Sequence, residues 1–317
     1  MKLFYSKILL FGEYGIIKNS KGLAIPYNFY KGTLKTLAEV EAESDQKRED
    51  AHKSNEALKA FASHLETLTN EANPIVRFNI EKLNADIADG MYFDSSIPQG
   101  YGVGSSGALV AAIYSEYAID PIDAIDDLTR EKLLQLKAIF GRMESFFHGT
   151  SSGLDPLNSY LSLPILINSY DNIEPTGIPT QTPDGKGAVF LLDSGIIGET
   201  APMVHIFMEN MKNEAFQKML KEEFIKYTDA CIDDFLKGRF KSLFGNIKSL
   251  SSIVLNHFKP MIPKEFHTLW KQGIDTGDYF LKLCGSGGGG YILGFTEDLE
   301  KAKHTLAGHK LEVVYQF

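Results

Sequence analysis

Apolar positions along this chain switch repeatedly between two periods. In the charge-dense stretch from Glu43 to Asn70, Leu58, Phe61, Leu65 and Leu68 recur at spacings of three, four and three. That spacing lays one apolar stripe along a helix whose charged face meets water. Val76, Phe78 and Ile80 alternate with Arg77, Asn79 and Glu81, the period of a half-buried strand. Helix formers run from Ser106 to about Ile119, and again from about Leu128 to Phe146 before His148-Gly149. The segment Lys7–Ile17, broken by Gly12 and Gly15, predicts two strands about a tight turn, and Lys31–Glu41 adds a further strand. Ser159–Ile167 predicts a strand interrupted at Pro164.

The loop Pro175–Gly187 holds three prolines and three glycines and is the candidate domain boundary. After it come a short apolar strand, Ala188–Asp193, and several amphipathic helices over Thr200–Gly277. A hairpin, Leu281–Phe295, wraps four consecutive glycines, and a helix and a strand close the chain. Two α+β domains, 1–180 and 181–317, are the expected organisation.

Composition narrows the function classes. At 317 residues, with 44% hydrophobic residues, the chain can bury two cores. Lys and Arg number 32 against 41 Asp and Glu, a net charge of −9, which argues against an extended nucleic-acid surface but not against a local phosphate pocket. Cys231 and Cys284 form neither a disulfide framework nor a metal-ligand spacing, so a cytoplasmic protein with reduced thiols is expected. Charges at Lys7 and Glu13 interrupt the apolar run Ile8–Phe11, and no membrane partner is expected.

The strongest chemical signal is Pro98-Gln99-Gly100-Tyr101-Gly102-Val103-Gly104-Ser105-Ser106-Gly107-Ala108, opening an apolar helix. Glycines let backbone amides approach phosphate oxygens, and a helix start offers unpaired N–H groups and a positive dipole end. A serine there can bind phosphate or hold Mg²⁺. Gly102-x-Gly104-x-x-Gly107 also fits a dinucleotide fingerprint, but that motif should open the first βαβ unit, with an acidic residue about 20 residues on at a strand end. Asp120 and Asp123 sit instead in a polar loop. A P-loop would need Gly-Lys-Ser/Thr, and this loop has no lysine.

Pro-x-Gly-x-Gly-x-Gly-Ser-Ser-x-Ala resembles the second motif of the GHMP kinases, which include galactokinase, homoserine kinase, mevalonate kinase and phosphomevalonate kinase. Lys7–Tyr14 (KILLFGEY) resembles the family's first motif and Lys282–Gly290 (KLCGSGGGG) its C-terminal glycine motif, in the family's order. The resemblance implies an N-terminal α/β domain with the phosphate loop and a C-terminal ferredoxin-like α+β domain. It implies ATP and Mg²⁺ as cofactors, with Gly100, Gly102, Gly104, Ser105, Ser106 and Gly107 around the phosphates.

Glu144 and His148-Gly149-Thr150-Ser151-Ser152-Gly153-Leu154-Asp155 resemble the mevalonate kinase segment. An aspartate in such a loop could equally cap the next turn; the resemblance makes Asp155 the catalytic base and gives Glu144 and Ser106 to Mg²⁺. Lys7 would pair with Asp155 and stabilise developing charge. Glu13, Tyr14, His148 and Thr200 would meet the substrate, and Gly285, Gly287 and Gly288 would close a cleft near the phosphates. Gly149–Gly153 also spells a hydrolase nucleophile elbow, but a helix precedes it and no oxyanion loop is present. The expected reaction is ATP-dependent phosphorylation of the primary hydroxyl of mevalonate. Phosphomevalonate or another small alcohol is the alternative acceptor, and a ligand-binding protein without catalysis the non-enzymatic one; a homodimer is left open. Tyr14 stands where mevalonate kinases carry histidine, Ser6 where glycine is usual, Gly107 where alanine is commoner, and Gly198 near an expected arginine. These departures touch acceptor recognition more than nucleotide chemistry.

Overall fold

A computed structural model describes residues 2–40, 43–123, 128–169 and 171–317. Contacts divide the chain into two compact units that interleave along the sequence. The first holds residues 1–7, 26–98 and 104–162; the second holds 8–25, 99–103 and 163–317. The expected division was one cut in the 175–187 loop, whereas here strands β1 (Phe4–Phe11) and β2 (Gly22–Thr36) each run from one unit into the other.

In the first unit β2 pairs antiparallel with β3 (Met91–Ser95). Helices α1 (Asp45–Thr69), α2 (Ile80–Ala88), α3 (Ser105–Tyr117), α4 (Arg130–His148) and α5 (Leu154–Leu161) complete the unit. α1 buries the expected stripe of Leu58, Phe61, Leu65 and Leu68, and α3 is buried on most of its surface, as a central helix of small and apolar residues should be.

Four local expectations change. The alternation at Val76–Ile80 yields only a single bridge, Phe78 to Ala118. Asn79 accepts a hydrogen bond from the Lys82 amide at 3.0 Å and so starts α2 at Ile80. Ser159–Leu161 is helical, because Leu154, Leu157 and Leu161 keep a three-four spacing on a buried face and strand β4 (Ile165–Ser169) begins only after Pro164. The turn after β1 is a 3₁₀ turn, Gly15–Lys18, leading into β2, and Lys31–Thr36 is the tail of β2 followed by a 3₁₀ turn at Leu37–Val40; Glu41 lies outside the described residues.

In the second unit the start of β2 pairs with β4, and β4 with β5 (Asn172–Pro175). A four-stranded antiparallel sheet contains β6 (Ala188–Asp193), β7 (Phe280–Leu283), β8 (Tyr291–Thr296) and β9 (Leu311–Gln316), in the order β7-β8-β6-β9. Helices α6 (Thr200–Asn210), α7 (Glu214–Met219), α8 (Ile225–Leu236), α9 (Phe240–His257) and α10 (His267–Thr276) connect β6 to β7, and α11 (Leu299–Thr305) connects β8 to β9. A strand–helix–strand–strand–helix–strand path with this order is the ferredoxin-like arrangement. Its central strand β6 is apolar and buried from Ala188 to Leu192, as a strand covered on both faces requires.

Candidate active site

Within the first unit, α3, α4 and α5 bring together Lys7, Ser106, Glu144, His148 and Asp155. Two glycines explain how. α4 stops at His148 with Gly149 at its C-cap, and the chain then doubles back on α4. Gly153 has φ +72°, and a Cβ there would lie 2.1 Å from the Lys137 carbonyl oxygen. Gly107 lies in the first turn of α3, where a Cβ would stand 2.8 Å from Asp155 C and 2.9 Å from Pro156 N. The absence of side chains at both places lets the first turn of α5, carrying Asp155, rest directly on the first turn of α3.

Asp155 Oδ1 is 2.8 Å from Lys7 Nζ. The lysine side chain is 5% exposed and the aspartate 37%, so the ammonium is enclosed while the carboxylate keeps an open side. The lysine stem runs past Gly104, where a Cβ would be 3.0 Å from Lys7 Cγ. Gly104 is also the N-cap of α3 and supplies no side-chain cap. The first backbone amide of α3 with a helical partner is that of Ala108, bonded to the Gly104 carbonyl. An uncapped helix start beside a buried lysine is suited to an anion.

Glu144 is 3% exposed. It accepts a hydrogen bond from Ser106 Oγ at 3.0 Å on one oxygen and one from Ser151 Oγ on the other. His148 Nε2 lies 3.2 Å from Ser106 Oγ. With the Ser106 proton committed to Glu144, the histidine ring nitrogen is the donor of that pair. Burial and the nearby charge of Asp155 push the Glu144 carboxyl up from 4.5 to about 7. The folded chain therefore holds this proton more tightly than the unfolded chain. Its stabilising contribution is complete below about pH 4.5 and is lost as pH rises towards 7. Glu144→Gln keeps the neutral shape, so at pH 8 in metal-free buffer the variant should be the more stable protein by about 3 kcal/mol. The two should converge at pH 4.5, as read from urea unfolding at both pH values.

Gly107 was expected at the phosphates, and its structural reason is contact with Asp155. Gly107→Ala should push the Asp155 backbone away and destabilise the fold by about 1–3 kcal/mol, as overpacking a close contact does, read from urea unfolding.

Ser105 opens α3 in the first unit, and the remaining sequence candidates fall in the second. Gly100 and Gly102 both have positive φ and lie against backbone. A Cβ at Gly102 would be 2.6 Å from the Cys284 carbonyl oxygen, and Gly198 N donates to Gly100 O at 2.9 Å. Glu13 is 6% exposed and forms a buried ion pair with Lys282, Oε1 to Nζ 2.5 Å. Tyr14 is 7% exposed, stacks on Phe207 with ring centroids 4.7 Å apart, and donates its hydroxyl proton to Ser286 O at 2.6 Å. Thr200 opens α6, with Ser286 Oγ 3.4 Å from its hydroxyl. Gly285, Gly287 and Gly288 belong to the turn between β7 and β8, all with positive φ. Backbone lies close at Gly287, where a Cβ would stand 2.7 Å from Met261 O, whereas at Gly288 the Met203 side chain fills the space, with Sδ 2.8 Å from such a Cβ.

Sequence reasoning missed Ser151 and Lys282. Ser151 lay in the HGTSSGLD segment without a role; only the fold-back of the loop reveals its contact with Glu144. Lys282 was legible as a lone charge inside the apolar strand Phe280–Leu283, which demands a buried partner.

The donor oxygens of Ser106 and Glu144 fit Mg²⁺, which favours hard oxygen ligands, usually keeps several waters and needs only one or two carboxylates besides substrate phosphates. Among the described residues no group of three or more His, Cys, Asp and Glu could hold a metal ion. None of the helices among them is long and apolar enough to cross a membrane.

Residues 57–162 match the family described as GHMP kinases N terminal domain. No curated protein matches the chain. Among solved structures, the Leishmania major (L. major) mevalonate kinase in complex with R-mevalonate superposes with a TM-score of 0.60 at 16% identity, covering 99% of this chain and 95% of that one. The Streptococcus pneumoniae phosphomevalonate kinase in complex with phosphomevalonate and AMPPNP gives 0.59 at 11% identity, covering 99% of both. The Lactococcus lactis galactokinase complexed with galactose gives 0.58 at 12% identity, covering 99% and 93%. At such identities the likeness speaks for the fold alone.

Proposed function

From a chain that has the GHMP kinase fold and matches the family's N-terminal domain over residues 57–162, we propose an ATP-dependent kinase that phosphorylates a small alcohol, with mevalonate as its acceptor. The observation that carries the reading is the Lys7–Asp155 pair held against the uncapped first turn of α3. In one place it offers an anion-binding helix start, a cation and a partly open carboxylate.

Phosphoryl transfer depends on positioning and charge compensation more than on covalent chemistry. The amides of Ser105–Gly107 and the dipole of α3 would receive phosphate oxygens of ATP. Asp155 would accept the proton of the attacking hydroxyl, its carboxylate oriented by Lys7 from one side and open on the other. Lys7 would then stabilise negative charge on the transferring group. Mg²⁺, held through Ser106 and Glu144, would supply neutralisation of the phosphate charges. His148, donating to Ser106, would fix the serine's lone pairs as well as border the acceptor.

The mevalonate acceptor rests on the resemblance of the HGTSSGLD segment to that of mevalonate kinases. Phosphomevalonate is the second reading, because Tyr14 rather than histidine follows Gly12-Glu13. An ADP-release assay with Mg-ATP and, separately, mevalonate, 5-phosphomevalonate, galactose and homoserine tests the choice. Mevalonate should give the highest kcat/KM. A higher value with phosphomevalonate would move the acceptor and leave the chemistry, and ADP release with none of the four would remove the acceptor assignment.

A further inference from the structure

We infer that Tyr14 and Lys282 are positioning residues for the nucleotide: together with Glu13 they clamp the glycine turn 284–290, and that turn in turn sets the backbone of Gly100–Gly102. This rests on the kinase reading above for its effect on ATP, and on geometry alone for the clamp. All of the contacts lie within the second unit.

The clamp has two points. Lys282 Nζ donates to Glu13 Oε1 at 2.5 Å and to the Leu283 carbonyl at 2.8 Å, with both side chains no more than 5% exposed. The lysine thus ties the end of β7 to the segment after β1. At the other end of the turn's first half, the Tyr14 hydroxyl donates to Ser286 O at 2.6 Å. Tyr14 itself is fixed: its ring packs against Phe207 and Phe258, which also pack on each other, and its backbone sits at φ 60°, a conformation a bulky residue holds only when its surroundings impose it. Burial, then the neighbouring Glu13 carboxylate, drive its hydroxyl pKa upward, so it remains a donor throughout the physiological range.

The turn is a platform for the phosphate loop. Tyr291 N donates to Tyr101 O at 3.3 Å, and a Cβ at Gly290 would lie 2.5 Å from Tyr101 Cα. Gly290 N donates to Ile196 O at 2.5 Å, Gly198 N to Gly100 O at 2.9 Å, and Gly288 N to Met261 O at 2.7 Å. Three backbone segments, 99–103, 194–198 and 284–291, therefore bond to one another through main-chain groups. A run of glycines in such a packing has no rigidity of its own, and its shape must come from what grips it. Glu13 and Tyr14, taken from sequence as substrate contacts, are directed into that grip by the buried pair and the hydroxyl bond.

The test pairs amide hydrogen exchange with kinetics on the full chain, comparing wild type with Tyr14→Phe, Glu13→Gln and Lys282→Arg. Tyr14→Phe keeps the ring stack and removes one hydrogen bond. It should speed exchange in 99–103 and 284–291 about fivefold, leave 105–117 unchanged, and raise the KM for ATP by a similar factor with the acceptor KM within about twofold. Glu13→Gln should act in the same direction, and Lys282→Arg, which keeps a donor, should retain wild-type behaviour in part. Unchanged exchange in both segments for Tyr14→Phe and Glu13→Gln would overturn the clamp, whatever the wild type does with ATP. So would a rise in acceptor KM with the ATP KM unchanged, which would return Tyr14 to the acceptor. Faster exchange in a protein whose wild type binds no ATP would uphold the clamp and remove the kinase reading instead.

Discussion

Asp155→Asn is expected to lower kcat about 1000-fold, the middle of the range that a positioned general base contributes. Asparagine has the same shape, so the first turn of α5 and its contact with Gly107 persist. What disappears is the ability to take a proton, together with the charge facing Lys7 across 2.8 Å. Nucleotide affinity should stay within a few-fold, because the helix start proposed to receive the phosphates is untouched. The comparison therefore needs kcat and the dissociation constant for an ATP analogue measured on the same preparations. A variant retaining more than a tenth of wild-type kcat would exclude Asp155 as the base.

Lys282→Met should have the largest effect on stability. The lysine and Glu13 are both buried, and removing one member of a buried pair leaves the other charge in a poor medium, at about 3–5 kcal/mol. Replacing both members with apolar side chains removes the stranded charge, so Glu13→Leu with Lys282→Met should recover most of that loss. Urea unfolding of the wild type, the two single variants and the double variant forms a complete cycle. If the double variant is as unstable as the sum of the singles, the two groups do not act as a pair.

Much of the fold was legible because its strongest signals are local. The stripe Leu58–Leu68, the apolar strand Ala188–Asp193 and the glycine-centred hairpin each carry enough pattern to define their own element. The failures came where one local signal outweighed another. At Val76–Ile80 a strand-like alternation yields to the Asn79 cap that starts a helix. At Ser159–Leu161 a β-leaning reading of a short segment yields to the periodicity that begins at Leu154. The interleaved units were not legible at all, since strands that run through both carry no break in pattern at the crossing.

For the site, sequence supplied residue types and left their partners open. The Lys7–Asp155 ion pair and the hydrogen-bonded set Ser106, Glu144 and His148 lie within one unit, side by side where Gly107 packs on Asp155. Glu13 and Tyr14 sit in the same motif as Lys7, yet their side chains serve Lys282 and Ser286, more than 250 residues away along the chain. No spacing rule predicts such contacts. The glycines divide likewise: Gly104 makes room for the Lys7 stem, Gly107 for Asp155, and Gly102 for Cys284. One motif thus contains three different physical reasons for lacking a side chain.

The proposed reaction transfers the γ-phosphoryl group of ATP to the primary hydroxyl of mevalonate. Phosphorus NMR of the full chain incubated with Mg-ATP and R-mevalonate observes that transfer directly. A phosphomonoester resonance coupled to the methylene protons at the terminal carbon of mevalonate, growing in step with ADP, is the predicted result. Inorganic phosphate growing alone, or ATP left intact by a protein that binds its analogue, would contradict it.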